Sequence, residues 1–448
     1  MGKINMQEMR QKSVAFLTLG CKVNTYETDA MKELFGAAGY VTREFTETAD
    51  VYVINTCTVT NIADRKSRQM LHKAKKNNPE SVVIAVGCYV QAAKDTLEAD
   101  EAIDLVIGNN QKQNIVSILE QYYKDNNYNE ALIDISQERA YEELSIGSAG
   151  EKTRAYIKVQ DGCNQFCSYC IIPYTRGRVR SRGIAEVLAE VETLVKAGNK
   201  EVVLTGIHLS SYGIDFEEKK SLLELIQAIS AVEGVERIRL GSLEPRVITE
   251  EFVRVLSQDK KFCPHFHLSM QSGCNATLKR MNRRYTAEEF YEKCELIHEW
   301  FELPALTTDV IVGFPGETEE EYEETKAFVQ KVNFAQMHVF KYSKRKGTRA
   351  EIMENQVDET VKHARSTDLL KVEHAMRKAY QQSFVGRRER ILVEEAVTID
   401  GVTYQVGHNE RYLKLAIISD HDYTNEIIEV EVGQNVTEDL LLCKIIDK

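Results

Sequence analysis

No apolar run in this sequence is long enough to cross a membrane. The longest, such as Ser81–Val86 and Leu440–Cys443, are strand-sized, against the roughly 20 residues a helical span needs. The N-terminal stretch MGKINMQEMRQKS is polar, and the short apolar piece after it lacks a small-residue cleavage site, so no secretory signal is expected. Low-complexity segments and internal repeats are missing too. These absences point to a globular chain in the reducing cytoplasm, where ten cysteines are read as metal ligands or catalysts before disulfides. Net positive charge is also lacking, with 57 Lys and Arg against 69 Asp and Glu. Taken alone, this argues against nucleic-acid binding, because phosphate contacts need local positive charge.

Distribution decides more than the sum. Arg176, Arg178, Arg180 and Arg182 alternate along YTRGRVRSR. Lys279, Arg280, Arg283 and Arg284 crowd KRMNRR, and Lys341, Lys344, Arg345, Lys346 and Arg349 crowd KYSKRKGTR. Arg65, Lys66, Arg68, Lys73, Lys75 and Lys76 share one helical stretch. Each cluster alone reads as a solvated surface; four of them in an acidic chain predict a basic face.

The first 120 residues alternate strand and helix signals. Strands are expected at Ser13–Leu19, Val51–Thr56, Ser81–Val86 and Asp104–Gly108, and helices at Glu27–Ala38, Ala63–Lys76, Gln91–Glu98 and Ile115–Tyr123. That pattern predicts a doubly wound parallel α/β sheet. Lys124–Lys152 is polar, without a sustained period, and reads as a linker or lid. A second series has strands at Ala155–Val159, Glu201–Thr205, Arg237–Gly241, His265–Met270, Leu306–Val312 and Ala335–Phe340, separated by helical patterns. Six βα units suggest a partial barrel, shorter than an eight-stranded one. Gln356–Gln382 reads as a closing helix, and short strands from about Ser383 predict a small β-barrel. The expected domains are therefore 11–123, a linker 124–152, 153–382 and 383–448.

Cys163, Cys167 and Cys170 are spaced C-x3-C-x2-C in DGCNQFCSYC. Structural zinc wants four closed ligands, and a four-iron cluster is usually held by four cysteines. Three thiolates in one loop leave a metal position open for a small molecule; zinc with a distant fourth ligand is the competing reading. Cys21, Cys57 and Cys88 each follow a predicted strand of the first sheet. Parallel strands end on one edge, where ligands bind, so these three converge without being sequence neighbours. A second three-cysteine iron–sulfur site fits better than three buried free thiols.

The loop after the first barrel strand resembles that of the radical S-adenosylmethionine (SAM) superfamily. The resemblance implies a [4Fe-4S] cluster whose open iron binds SAM and reductively cleaves it to a 5′-deoxyadenosyl radical. It also implies SAM contacts from Tyr169, from Thr205 and Gly206, from Ser242 and Glu244 in GSLEP, and from Gln271, with VGFPGE (Val312–Glu317) as further lining. The two three-cysteine sites, Arg176–Arg182, GFPGET, YSKRKGTRA and a C-terminal barrel of the TRAM type together resemble the methylthiotransferases over nearly the whole chain. That resemblance implies two [4Fe-4S] clusters, the N-terminal one carrying the sulfur to be donated. GCKVNTYET and HVFKYSKRKGTRA look most like the bacterial branch acting on N6-threonylcarbamoyladenosine (t6A) at position 37 of tRNA. The other branches act on isopentenyladenosine or a ribosomal-protein aspartate. Implied partners are the tRNA anticodon loop and an electron donor such as flavodoxin or ferredoxin. RNA-contact candidates are Arg176, Arg178, Arg283, Arg284, Lys344, Arg345, Arg387 and Arg388. An electron carrier or a plain RNA-binding module is the reading from another class; a vacant metal position argues against a carrier.

The remaining residues read plainly. Cys263, Cys274, Cys294 and Cys443 fit no ligand spacing. His265 and His267 share a strand face and suit hydrogen bonds inside the barrel. Trp300 suits packing, and Asn24 and Asn55 suit turns.

Overall fold

A computed structural model describes residues 11–125, 132–147 and 153–446. These residues fall into two compact units. One holds the described residues up to Gly147 together with Gly162–Asn164 and Cys170–Arg180; the other holds Thr153–Asp161, Gln165–Tyr169 and everything from Ser181.

In the first unit, five strands form a fully parallel sheet in the order Val41–Arg43, Ser13–Thr18, Val51–Thr56, Val82–Gly87 and Leu105–Ile107. VYVINT and VVIAVG are buried throughout, as near-continuous apolar strands must be when helices cover both faces. Alternate residues serve opposite faces. Val51, Val53, Ile84 and Val86 pack with Phe35 and Leu119 on one side. Tyr52, Ile54, Val83 and Ala85 pack with Leu71 and Leu97 on the other.

The first helix starts at Lys22, not Glu27, which puts Cys21 at its N-cap. The expected helix Gln91–Glu98 is two short helices, Cys88–Ala92 and Lys94–Glu98, broken at Ala93. Strand Val41–Arg43 escaped sequence reading because all three residues are exposed and carry no apolar period. The expected linker also behaves differently within 132–147. Its Ile135, Leu144 and Ile146 are buried, Tyr26 donates to the Leu144 carbonyl (2.6 Å), and Glu142 accepts from the Lys112 amide. Isolated apolar residues in a polar run gave no periodic signal for this strap. Residues 126–131 and 148–152 of that expected linker lie outside the described residues.

In the second unit, Arg154–Asp161, Glu201–Gly206 and Arg237–Leu240 pair in parallel. The third strand breaks at Gly241, and its continuation Ser242–Leu243 pairs with His265–Leu268. Ala305–Val312 and Gln336–Lys341 complete the six-strand partial barrel. Helix Glu359–Gln382 leads to a closed barrel of five strands between Arg388 and Ile445. Among the described residues no helix is long and apolar enough to cross a membrane.

Candidate metal centres

Cys21, Cys57 and Cys88 stand just past the C-terminal ends of Ser13–Thr18, Val51–Thr56 and Val82–Gly87, three adjacent strands. Two glycines set their approach. Gly20 has φ +102°, and a β-carbon there would sit 2.9 Å from Cys57 Cβ and 3.0 Å from its Sγ. Gly87 has φ +95° and ψ −163°, a region open essentially to glycine alone. Its β-carbon would meet Asn55 Oδ1 at 2.5 Å. Gly87→Ala is therefore expected to cost ~1–3 kcal/mol of strain and to displace Cys88. Thermal unfolding measures the first effect and iron content the second; wild-type values for both would show that the turn can relax.

The polar surroundings are built from buried groups. Asn24 donates to the carbonyls of Leu19 (2.7 Å) and Thr56 (3.0 Å), and Asn55 donates to the Asn24 carbonyl (3.0 Å). Both tie strand ends together rather than merely capping turns. Arg176 is fully buried. Its Nε donates to Cys88 Sγ (3.1 Å), its Nη1 to Glu27 Oε1 (2.8 Å) and its Nη2 to Asn24 Oδ1 (2.7 Å). Asn109 Nδ2 lies 3.9 Å from Cys88 Sγ and donates to the Thr175 carbonyl (2.7 Å). Lys112, also buried, joins Glu27 (3.4 Å) and Glu142 (3.7 Å).

Burial pushes the Cys57 thiol up to about 11. Cys21 is exposed at its surface, but the protein packed around it raises its thiol too, against the lowering effect of Arg176. Ligation must therefore expel protons from these thiols. Among the described residues no three Cys, His, Asp or Glu side chains close around one point as a single ion requires. A lone zinc gathers its sulfurs at ~2.3 Å, whereas a four-iron cluster takes each cysteine on a different iron. Three thiols on one sheet edge, one of them reachable from solvent, fit a cluster with an open iron better than closed zinc.

The C-x3-C-x2-C loop follows Arg154–Asp161. Its Gln165–Tyr169 part is pinned from two sides of the second unit. Ser168 donates through its amide to the Met281 carbonyl (3.0 Å) and through Oγ to Arg280 O (2.6 Å), and Ala350 N donates to Ser168 O (2.8 Å). Asn282 Nδ2 donates to Phe166 O (3.0 Å), holding a residue with φ +50°. Arg283, its side chain 7% exposed, donates to Cys167 Sγ (3.3 Å) and to Ser269 O (3.1 Å). It also lies 3.7 Å from Glu244, which is 3.4 Å from His208 Nε2. Burial raises the Glu244 carboxyl, but the His208 contact and Arg283 outweigh it and leave it below the usual range.

These contacts correct several expectations. Arg176 and Arg345 are buried and the Arg283 side chain is only 7% exposed, so none of the three presents its guanidinium to solvent as an RNA contact needs. Arg180 is buried as well, and Arg182 pairs with Glu190 inside the protein, so of the four arginines in YTRGRVRSR only Arg178 faces outward. Arg280, Met281, Asn282 and Arg283 of KRMNRR and Ala350 of KGTRA buttress the Gln165–Tyr169 part of the cysteine loop. Arg284, Lys344, Arg387 and Arg388 are exposed, and Arg387 pairs with Glu302 (2.8 Å).

The SAM candidates divide in the same way. Thr205, Glu244 and Gln271 are buried at strand ends, and Ser242 is exposed there. Gln271 keeps φ +70° while bonded to the Asp309 and Ile311 backbone, strain of the kind that clusters at functional sites. Tyr169 packs edge-on to Phe314 (6.4 Å). A β-carbon on Gly206 would lie 3.0 Å from Gln160 Oε1, so Gln160 takes up the space that glycine leaves. Glu317 accepts from Gly313 N (2.6 Å) and Arg365 (2.7 Å), which makes GFPGE an anchor for helix Glu359–Gln382. His265 and His267 share Thr307 Oγ1 (3.3 and 3.0 Å), as hydrogen-bonded barrel histidines. Sequence reading missed Glu27, Asn109, Lys112 and His208, since isolated polar residues give no spacing signal.

A partial barrel with a three-cysteine loop at its first strand end defines a radical SAM enzyme. Residues 157–329 match the radical SAM superfamily, and residues 13–108 match an uncharacterized protein family, UPF0004. The fold is similar to that of the radical SAM methyltransferase TsrM from Kitasatospora setae, with TM-score 0.53 and 16% identity over 76% of this chain and 77% of that one. The chain is 42% identical to a threonylcarbamoyladenosine tRNA methylthiotransferase MtaB of Bacillus subtilis, over 94% of its own length and 93% of the relative's. It is 40% identical to the Aquifex aeolicus MtaB over 85% and 93%. It is 33% identical to the tRNA-2-methylthio-N(6)-dimethylallyladenosine synthase of Carboxydothermus hydrogenoformans over 95% and 98%. The chain belongs to the radical SAM methylthiotransferase family. The cofactors are those of the family, [4Fe-4S] clusters and SAM.

Proposed function

We propose that this chain transfers a methylthio group to C2 of t6A at position 37 of tRNA. The observation that carries the reading is the 42% and 40% identity to enzymes named for threonylcarbamoyladenosine tRNA, over most of both chains. The dimethylallyladenosine reading has weaker support at 33%. Bound [4Fe-4S] clusters and SAM supply the electron, the radical and the methylated sulfur.

The chain's own residues do the rest. Cys163, Cys167 and Cys170 hold one cluster and Cys21, Cys57 and Cys88 the other. Tyr169, Thr205, Ser242, Glu244 and Gln271 line the SAM position, and Arg283 steadies Cys167. Arg178, Arg284, Lys344, Arg387 and Arg388, with exposed Arg65, Lys66, Lys73 and Lys76 on helix Asn61–Asn77, suit RNA phosphates. The target adenine must be splayed from its stack, which a single-stranded anticodon loop permits. The domains are 11–123, a strap within 124–152, 153–382 and 383–448. The enzyme works in the cytoplasm, with flavodoxin or ferredoxin as reductant. Mass spectrometry of tRNA nucleosides from cells with and without the gene tests the reading. Loss of the methylthio form with accumulation of t6A is expected; an unchanged profile sends the acceptor to a ribosomal protein.

A further inference from the structure

Arg176 donates to a sulfur that the proposed function assigns to the auxiliary cluster. It is one of the largest fully buried side chains in the protein. All three of its nitrogens donate: Nε to Cys88 Sγ (3.1 Å), Nη1 to Glu27 Oε1 (2.8 Å), and Nη2 to Asn24 Oδ1 (2.7 Å) and Glu27 Oε2 (3.1 Å). The ion pair with Glu27 would suffice to neutralise the guanidinium. The N–H···S contact is extra, and the rest of the site holds the guanidinium in place to make it. Asn24, fixed by the Leu19 and Thr56 carbonyls, orients Nη2. Arg180 Nη1 donates to the Arg176 carbonyl (2.9 Å). Asn109, which approaches the same sulfur, donates to the Thr175 carbonyl (2.7 Å) next in the chain. Lys112 also lies 3.4 Å from Glu27 Oε2, so Arg176 is not the carboxylate's sole cation.

We infer that Arg176 is a positioning residue for the auxiliary cluster, whose Nε–H bond to Cys88 withdraws charge from the thiolate and raises the cluster's reduction potential. Hydrogen bonds to ligating sulfur are one of the levers that set iron–sulfur potentials. A buried cation acts the same way, because the reduced cluster carries the additional negative charge. The same contact has a mechanical side. Arg176 lies six residues after Cys170 on the segment Cys170–Arg180, which belongs to the first unit. One guanidinium thus links that segment to Glu27 and Asn24 of the first helix and to Cys88. The inference rests on the second-cluster reading of Cys21, Cys57 and Cys88.

The test uses the full chain carrying Cys163→Ala, Cys167→Ala and Cys170→Ala, so that only the auxiliary site loads. Failure of this background to bind iron and sulfide would remove the second cluster itself, a result separate from the role of Arg176. In the loaded background the midpoint potential and the EPR spectrum of the reduced cluster are measured for three variants. Arg176→Lys keeps the charge but loses the Nε donor, and is expected to shift the potential negative and alter the spectrum. Arg176→Met with Glu27→Met removes the ion pair as a unit, a swap that buried pairs often tolerate, and is expected to shift it negative as well. Glu27→Gln keeps the donor and removes a negative charge, and is expected to shift it positive. Should both Arg176 variants fold but fail to load while Glu27→Gln loads, the donor is required to retain Cys88 as a ligand, which also supports the inference. Equal potentials in all variants, or loss of loading in Glu27→Gln alongside the Arg176 variants, would reduce Arg176 to scaffold and overturn it.

Discussion

Replacing Cys21 by alanine should leave 5′-deoxyadenosine formation close to wild type while methylthiolated tRNA nucleoside falls below detection. Cys167→Ala should lose both. The contrast follows from where the two thiols sit. Cys21 caps the first helix of the parallel sheet, beside Cys57 and Gly20. Cys167 lies in the barrel-side loop, under Arg283 and near the Glu244–His208 pair. Under the proposed roles, SAM cleavage asks only for the loop cysteines and the strand-end residues around them, whereas methylthio transfer also needs the sheet-edge sulfurs. Liquid chromatography of reconstituted, dithionite-reduced protein reads 5′-deoxyadenosine and modified nucleoside in one sample. Product from Cys21→Ala at the wild-type rate would sink the two-site reading, and SAM cleavage by Cys167→Ala would sink the assignment of the loop.

Arg239→Met should be the most destabilising single change away from the cysteines, at about 3–5 kcal/mol, the range for removing one partner of a buried ion pair. Arg239 Nε and Nη2 donate to the Glu201 carboxylate (2.7 and 3.3 Å), and Arg237 adds a second cation at 3.7 Å. All three side chains are at most 1% exposed. The same arginines donate to the C-terminal barrel: Arg239 to the Glu410 and Asn409 carbonyls (2.8 and 3.0 Å), Arg237 to His408 O and Arg390 O (2.9 and 2.7 Å). Tyr412 completes the joint, its ring stacked between His408 and His265 at 4.4 and 5.2 Å. Losing Arg239 strips a donor from the Asn409 and Glu410 carbonyls and leaves Glu201 with only the weaker cations Arg237 and Arg154.

The deficit should depend on pH. Burial raises the Glu201 carboxyl, but Arg239 and Arg237 outweigh it and hold it below its ordinary value, which is about 4.3 when unperturbed. In the wild type the ionised group therefore adds stability that is complete above that value and is lost as pH falls through the lowered one. With Arg239 gone, burial dominates and protonation relieves the variant. Urea unfolding of the two proteins should show the gap narrowing from pH 7 toward pH 4. A gap that stays constant would mean that Glu201 is not the group left stranded.

The six proposed cluster ligands were legible in the sequence because local rules placed them. Three cysteines within eight residues can meet in any fold, and three cysteines each just past a strand must share an edge once the strands run parallel. Period-two burial and near-continuous apolar runs likewise announced the sheet, the partial barrel and the closing β-barrel. Charge was where local reading stopped. Arg176 and Arg283 looked like surface cations, because spacing along a chain cannot tell a solvated arginine from one whose partners lie far away in sequence. Arg176 meets Glu27 across 149 residues and Cys88 across 88, and Arg283 reaches Cys167 across 116. The sequence by itself determined which atoms can bind metal and on which edge they stand. Only the tertiary structure decided which arginines face water and which face sulfur, since burying a guanidinium requires carboxylates, carbonyls and thiols brought together by the whole fold.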